Sequence, residues 1–261
     1  MTETEQLIDL LKKKTKLVAL LAPSFPVMFE YPGILARLKA LGFQRIVEVS
    51  AGAVRTNELL AQAFKEQPDG RFITSPCAGF VRLVRKEYPQ LLPSLAFKVD
   101  SPMVASAKIA KEKYPDCLPV FIGPCIAKKL ESTEDYPELG ILVITYRELN
   151  IIFKEFGTPE TPDTAGIGFD VAAPSTRIYP MDGGLTITSG IRSVLKEEEI
   201  RIVSGWKNIP AALKEFETNK TIRLLDILCC EGGCINGPGT TSTLTLEQRK
   251  EKVLAFARRE G

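Results

Sequence analysis

Residues 229–237 read Cys-Cys-Glu-Gly-Gly-Cys-Ile-Asn-Gly, and their reading decides the fold. The apolar run Leu224-Leu-Asp-Ile-Leu228 leads straight into them. A short apolar run of this kind reads as a buried strand. The thiols that follow therefore sit at a strand's carboxyl end, where open α/β sheets gather their sites. Three of the chain's six cysteines crowd here. The neighbouring glycines suit a backbone that passes close to a bulky inorganic group. Strand alternation sends Cys229 and Cys230 to opposite faces. Cys230 and Cys234 are therefore the candidate ligands, and Cys229 is expected to point away.

Two more cysteines occupy matching places. Arg71-Phe-Ile-Thr74 reads as a short strand, and Ser75-Pro76-Cys77 then opens a helix predicted over 78–88, with Ser75 as N-cap and Pro76 in the first helical position. Leu118–Ile122 reads as a strand, and Gly123-Pro124-Cys125 precedes a helix over Ile126–Glu131. A thiol in a first helical turn meets the positive end of the dipole and unpaired N–H groups, which favour its metal-binding thiolate form. Cys77, Cys125, Cys230 and Cys234 together form a four-thiolate set suited to an iron–sulfur cluster. Plain burial is the simpler reading for Cys117. Zinc held by four thiolates is the competing metal reading. Such sites commonly use closely spaced cysteine pairs, whereas Cys77 and Cys125 are solitary.

Outward from these motifs, short apolar runs alternate with amphipathic stretches. Leu17–Leu21, Arg45–Val49 and Leu142–Thr145 read as further strands. Tyr31–Leu41, Thr56–Phe64, Ser101–Lys113, Tyr146–Phe156, Ile191–Glu198 and Ala211–Glu217 read as helices, and 157–190, rich in Pro, Gly and Thr, as long loops. This alternation predicts an α/β fold with small, mainly parallel sheets flanked by helices. We expect two lobes, 1–135 and 136–261, with the thiol site in the cleft between them.

Of the 261 residues, 44% are hydrophobic and 25% charged, and the net charge is +2 with scattered basic residues. No nucleic-acid face is expected. The longest apolar stretch, Leu17–Phe29, is broken by Pro23, Ser24 and Pro26, too short and interrupted to span a bilayer. The start lacks the features of a signal peptide, so a cytoplasmic, reducing location is expected, where clustered cysteines bind metal or do redox work. The end, Arg-Arg-Glu-Gly, reads as an abrupt stop. The chain contains no histidine, which removes Ser-His-Asp and Cys-His catalysis and histidine-bound metals.

The three cysteine motifs, in this order, resemble those of the catalytic domain of iron-only ([FeFe]) hydrogenases. Thr74-Ser75-Pro76-Cys77-Ala78-Gly79-Phe80 is similar to the family's TSCCPGW. Gly123-Pro124-Cys125-Ile126-Ala127-Lys128-Lys129-Leu130-Glu131 is similar to MPCxxKxxE, and Leu228 to Gly237 to MACxGGCxxGGGQ, departing at Pro238. Ala22-Pro23-Ser24, Ile144–Leu149 and Asp182-Gly183-Gly184-Leu185 resemble further family segments, so the likeness runs over roughly residues 16–240.

The resemblance implies that Cys77, Cys125, Cys230 and Cys234 bind a [4Fe–4S] cluster. It implies that Cys234 also bridges to a diiron subcluster carrying CO, cyanide and azadithiolate, the H-cluster. Lys128 would hydrogen-bond a cyanide, and Pro23 and Ser24 would line the dithiolate pocket. An ordinary solvated helix lysine is the plainer reading of Lys128. The implied activity is reversible H2 oxidation and proton reduction, with maturation proteins to supply the cofactor. No ferredoxin-like CxxCxxC run is visible, so electrons would arrive from a separate ferredoxin-like partner or a further domain. Where the family places a proton-relay cysteine, this chain has Pro76, which has no ionisable group. Glutamates of the usual relay are missing as well, with Glu58 alone in Thr56–Gln62. The expected enzyme is thus a slow, H2-sensing or regulatory hydrogenase. The alternative is a non-catalytic [4Fe–4S] module for regulation, electron transfer or cluster assembly, motivated by Gly123 and Leu228 standing where the family has methionines.

Overall fold

The structure, a computed structural model, describes residues 1–96, 99–160 and 162–259; Glu260 and Gly261, half of the abrupt end, lie outside the described residues. Helix α1 (Glu3–Lys12) opens with a reciprocal cap in which Thr2 Oγ1 accepts from Glu5 N and Thr2 N donates to Glu5 Oε2. Strand β1 (Leu17–Leu21) is buried along its whole length, as a central parallel strand covered on both faces must be. Then follow α2 (Gly33–Leu41), β2 (Arg45–Glu48), α3 (Ser50–Glu66), β3 (Phe72–Ile73), α4 (Ala78–Glu87), α5 (Pro102–Lys113), β4 (Leu118–Gly123) and the short α6 (Ala127–Leu130). The chain continues through β5 (Leu142–Thr145), α7 (Tyr146–Glu155), the short α8 (Gly184–Thr188), β6 (Ile200–Ser204), α9 (Ile209–Thr218), β7 (Leu224–Leu228) and α10 (Leu246–Ala257).

The strands form two all-parallel sheets, in the orders β2-β1-β4-β5 and β3-β7-β6. The α/β expectation holds. Each sheet draws strands from both sides of residue 135: Leu142–Thr145 joins the first, Phe72–Ile73 the second. One apolar core surrounds the first sheet, built on β1, β4 and the inward faces of α2, α5 and α7. Two smaller cores cover the second sheet.

Four elements were not expected from the sequence, among them the short α8 inside the stretch read as loops. Helix α1 hides behind a polar start, β6 follows a run of three glutamates, and α10 buries only Val253 and Phe256. Conversely, the helix predicted over Ile191–Glu198 is absent. Two short 3-10 turns stand there, Ile191–Ser193 and Glu197–Glu199. Only Ile191 and Leu195 of that segment are buried, too little packing to repay helix nucleation. Among the described residues no helix is long and apolar enough to cross a membrane.

The segment between α7 and α8 is fastened by ions. Fully buried Arg177 forks onto Glu48 at 2.9 and 3.0 Å, donates to Arg259 O at 2.7 Å, and lies 4.2 Å from the Phe256 ring centroid. This one side chain joins β2, the loop after α7 and the end of α10.

Candidate metal centre

The thiol site is assembled from loops at the carboxyl ends of β3, β4 and β7. Cys77 follows β3, but the expected cap is not formed. Extended Cys77 takes the N-cap position of α4, and Ser75 Oγ donates instead to Ala96 O at 2.9 Å. Pro76 is therefore outside the helix. Cys125 lies just before α6, separated from it by Ile126. Cys230 and Cys234 lie in the turn after β7, closed by Gly233 N donating to Cys230 O at 3.0 Å.

Two glycines of this segment allow close approach of backbone. Gly233 has φ 97°, and a Cβ there would collide with the Pro180 carbonyl. A Cβ on Gly239 would meet Pro124 O at 2.8 Å; instead, Gly239 N donates to that oxygen at 2.7 Å. The third motif is thereby pressed against the second, beside Cys125.

Cys229 does not point away from the other thiols. Strand β7 ends at Leu228, so alternation no longer governs the next residue. Its sulfur lies 3.7 Å from the position a Cβ on Gly79 would take, in the first turn of α4, and it packs with Cys77 on the same core. Hydrogen bonding from the Cys229 thiol draws Cys77 down from 9.0 to about 6 against the opposing effect of burial, with help from the N–H groups of Cys229 and Phe80 and the charge of Lys128. Burial pushes Cys125 up, and the charge of Cys77 adds to this while Lys128 opposes it. Burial together with the neighbouring thiolates takes Cys230 up to about 12 and raises Cys234 well above its ordinary value. Cys117 stands apart, at the amino end of β4 and 3.8 Å from Gln44 Oε1.

Four or five thiols that resist joint ionisation form a donor set that calls for a positive centre, since buried charges persist only when paired or ligating metal. That chemistry fits an iron–sulfur cluster. Among the described residues no group of three or more Cys, Asp or Glu is arranged around a single ion. Tetrahedral zinc, with Zn–S near 2.3 Å, requires such convergence.

Beside the thiols lies an apolar cavity of about 80 Å³. The expected pocket residues Pro23, Ser24, Pro76, Lys128 and Cys234 all line it, with Cys125. Ser24 is fully buried; Tyr146 Oη gives its proton to Ala22 O at 2.9 Å and lies 2.7 Å from Ser24 Oγ, which donates to it. Lys128 is not a solvated helix lysine. Its side chain is 10% exposed, and Nζ donates to Pro76 O at 2.9 Å and to Glu131 Oε2 at 2.5 Å. Burial disfavours its charge, but Glu131 and the thiolates of Cys125 and Cys77 outweigh burial and hold it above the ordinary lysine value. The cavity wall also contains groups that the sequence reading passed over: Tyr179, Met181 and Asp226. Asp226 did leave a signal, as the lone charge within Leu224–Leu228.

The chain matches, over residues 15–238, the family described as iron only hydrogenase large subunit, C-terminal domain. It is 26% identical to iron hydrogenase 1 of Clostridium pasteurianum, over 79% of this chain and 45% of that protein. It is 32% identical to the cytosolic Fe-S cluster assembly factor NAR1 of Kluyveromyces lactis, over 81% of this chain and 60% of that one. The chain thus spans about half the length of these curated relatives. Its fold is similar to that of a variant of [FeFe]-hydrogenase HydA1 from Chlamydomonas reinhardtii, with TM-score 0.73, 17% identity, and coverage of 99% of this chain and 89% of the other.

Proposed function

Because the chain belongs to the family formed by the C-terminal domain of the iron-only hydrogenase large subunit, we propose that it is a [4Fe–4S] protein of hydrogenase fold. Its role is regulation, electron transfer or cluster assembly rather than fast hydrogen turnover. The observation that carries this reading is the gathering of Cys77, Cys125, Cys230 and Cys234 at three strand ends, with Pro76 in the place of a proton-relaying side chain. Relatives of both kinds, a hydrogenase and an assembly factor, are consistent with it. A separate ferredoxin-like protein supplies or takes the electrons.

The test is iron and acid-labile sulfide analysis after anaerobic reconstitution. The wild-type protein is expected to hold about four of each. Cys230→Ser should lose most of this iron, whereas Cys229→Ser should keep it. Stoichiometric zinc without sulfide, or full iron content in Cys230→Ser, would sink the assignment.

A second reading is favoured by the cavity that abuts both Cys234 and Lys128. In it the cavity would take the diiron subcluster with its CO, cyanide and azadithiolate, with Cys234 to hold it, Pro23 and Ser24 along its wall and Lys128 as cationic donor. When bound, that group supplies the reaction of H2 with protons and electrons, and the chain serves as a slow H2 sensor after loading by maturation proteins. Iron-bound CO and cyanide bands in the infrared after loading, responsive to H2, would establish this reading; their absence would remove it.

A further inference from the structure

The cavity has one polar side that neither reading uses. Asp226 lies on β7, two residues before Leu228, so both project from the same strand face into the cavity wall. The residue is 3% exposed. Thr186 donates to Asp226 twice, from its N–H at 3.2 Å and from Oγ1 at 2.7 Å, and both bonds go to Oδ2. Beside it on the same wall, Tyr179 Oη is buried and has no hydrogen-bond partner among the described residues. The neighbouring Thr56 hydroxyl, on α3, gives its proton to Gly52 O and Asp100 O and so has none to offer the phenol. A buried carboxyl with one oxygen uncommitted and a buried phenol thus share the wall of a cavity that touches the thiol site.

One partly exposed carboxylate acts on Asp226. Asp182 precedes α8, the helix that carries Thr186, and its charge acts on Asp226. Asp182 is about one third exposed and pairs with Lys250 at 3.7 Å. The groups facing Asp226 are therefore Thr186 and Asp182 from the α8 side, Tyr179 from the segment before it, and Cys125, Cys234 and Lys128 across the cavity.

We propose that Asp226 is the proton-exchanging side chain of this cavity, standing in for the relay position that Pro76 leaves without an ionisable group. The inference rests on the second reading above, in which the cavity takes the reactive group. Asp226 Oδ1 would take up a proton delivered within the cavity, which neutralises the carboxylate. Asp226 then releases it toward Asp182 and solvent and is a carboxylate again; no electron moves in this step. Burial, which raises Asp226 and is only partly offset by Thr186, keeps the neutral form within reach. Tyr179 Oη serves as hydrogen-bond partner to the group or water that fills the cavity.

The experiment is infrared spectroscopy of the loaded protein across pH, comparing wild type with Asp226→Asn, Asp226→Glu and Thr186→Val. The iron-bound CO and cyanide bands should shift with pH in wild type. Asp226→Asn should abolish that shift and remove a pH-dependent carboxylic C=O band, and Asp226→Glu should restore both. Thr186→Val keeps the carboxyl but removes a bond that stabilises its charged form, so the transition should move to higher pH. Bands that form in Asp226→Asn and still shift as in wild type would overturn the inference while leaving the second reading intact. Should no bands form even in wild type, the second reading falls and takes this inference with it.

Discussion

At position 76 the cavity wall has a proline, which offers no ionisable group. Pro76 presents only its carbonyl, held by the Lys128 ammonium at 2.9 Å. On the second reading, Pro76→Cys should raise H2 turnover in the loaded protein, measured by gas evolution with an artificial reductant. An unchanged rate would show that the proline is not what limits proton delivery. The placing of the site's thiols at strand ends could be read from the motifs, because each motif follows an apolar strand. The direction of Cys229 could not, since it depends on where β7 stops. The burial of Lys128 was equally invisible, because it comes from Glu131 and the Pro76 carbonyl closing over its amine.

Among the elements, the loop after α7 illustrates what pattern reading lacks. It looked structureless, rich in Pro, Gly and Thr, yet buried polar contacts hold it to β2 and α10. Arg177→Ala would leave Glu48 buried and unpaired, and such losses cost about 3–5 kcal/mol. Thermal or urea unfolding should show a drop of that size, and a loss below about 1 kcal/mol would mean that Glu48 finds another partner or neutralises cheaply. Asp170 gives a pH signature. Burial pushes its carboxyl up, but bonds from Ile46 N–H at 2.8 Å, Arg45 at 2.9 Å and Lys39 at 3.3 Å outweigh this and hold it below its ordinary 3.8. A carboxyl lowered on folding contributes stability above its unfolded value and loses it as pH falls through the folded one. Asp170→Asn should therefore destabilise by roughly 1–2 kcal/mol at neutral pH. The gap to wild type should close below the ordinary value of 3.8. A gap that stays constant into acid would contradict the charge-based account. Helix α10 and strand β6 escaped the sequence reading for a related reason, since each buries few residues and relies on neighbours supplied by the rest of the chain.

For the whole molecule, the α/β class was legible because parallel strands buried on both faces write continuous apolar runs, as in Leu17–Leu21. How those strands divide between sheets was not, because the chain returns: β3 pairs with β7 across a long stretch of sequence, at Phe72 and Leu224. That return brings Cys77 next to Cys229, and β4 supplies Cys125 from the other sheet. The thiol site therefore depends on the two sheets holding together, and loss of either sheet should release the cluster. The most direct measurement is the electron paramagnetic resonance spectrum of the anaerobically reconstituted, reduced protein. The account predicts the signal of a reduced [4Fe–4S] cluster in wild type and Cys229→Ser, and its loss in Cys77→Ser, Cys125→Ser and Cys230→Ser. A wild-type protein that stays silent after reduction although iron and sulfide are supplied, or a signal that survives all three of those substitutions, would contradict it.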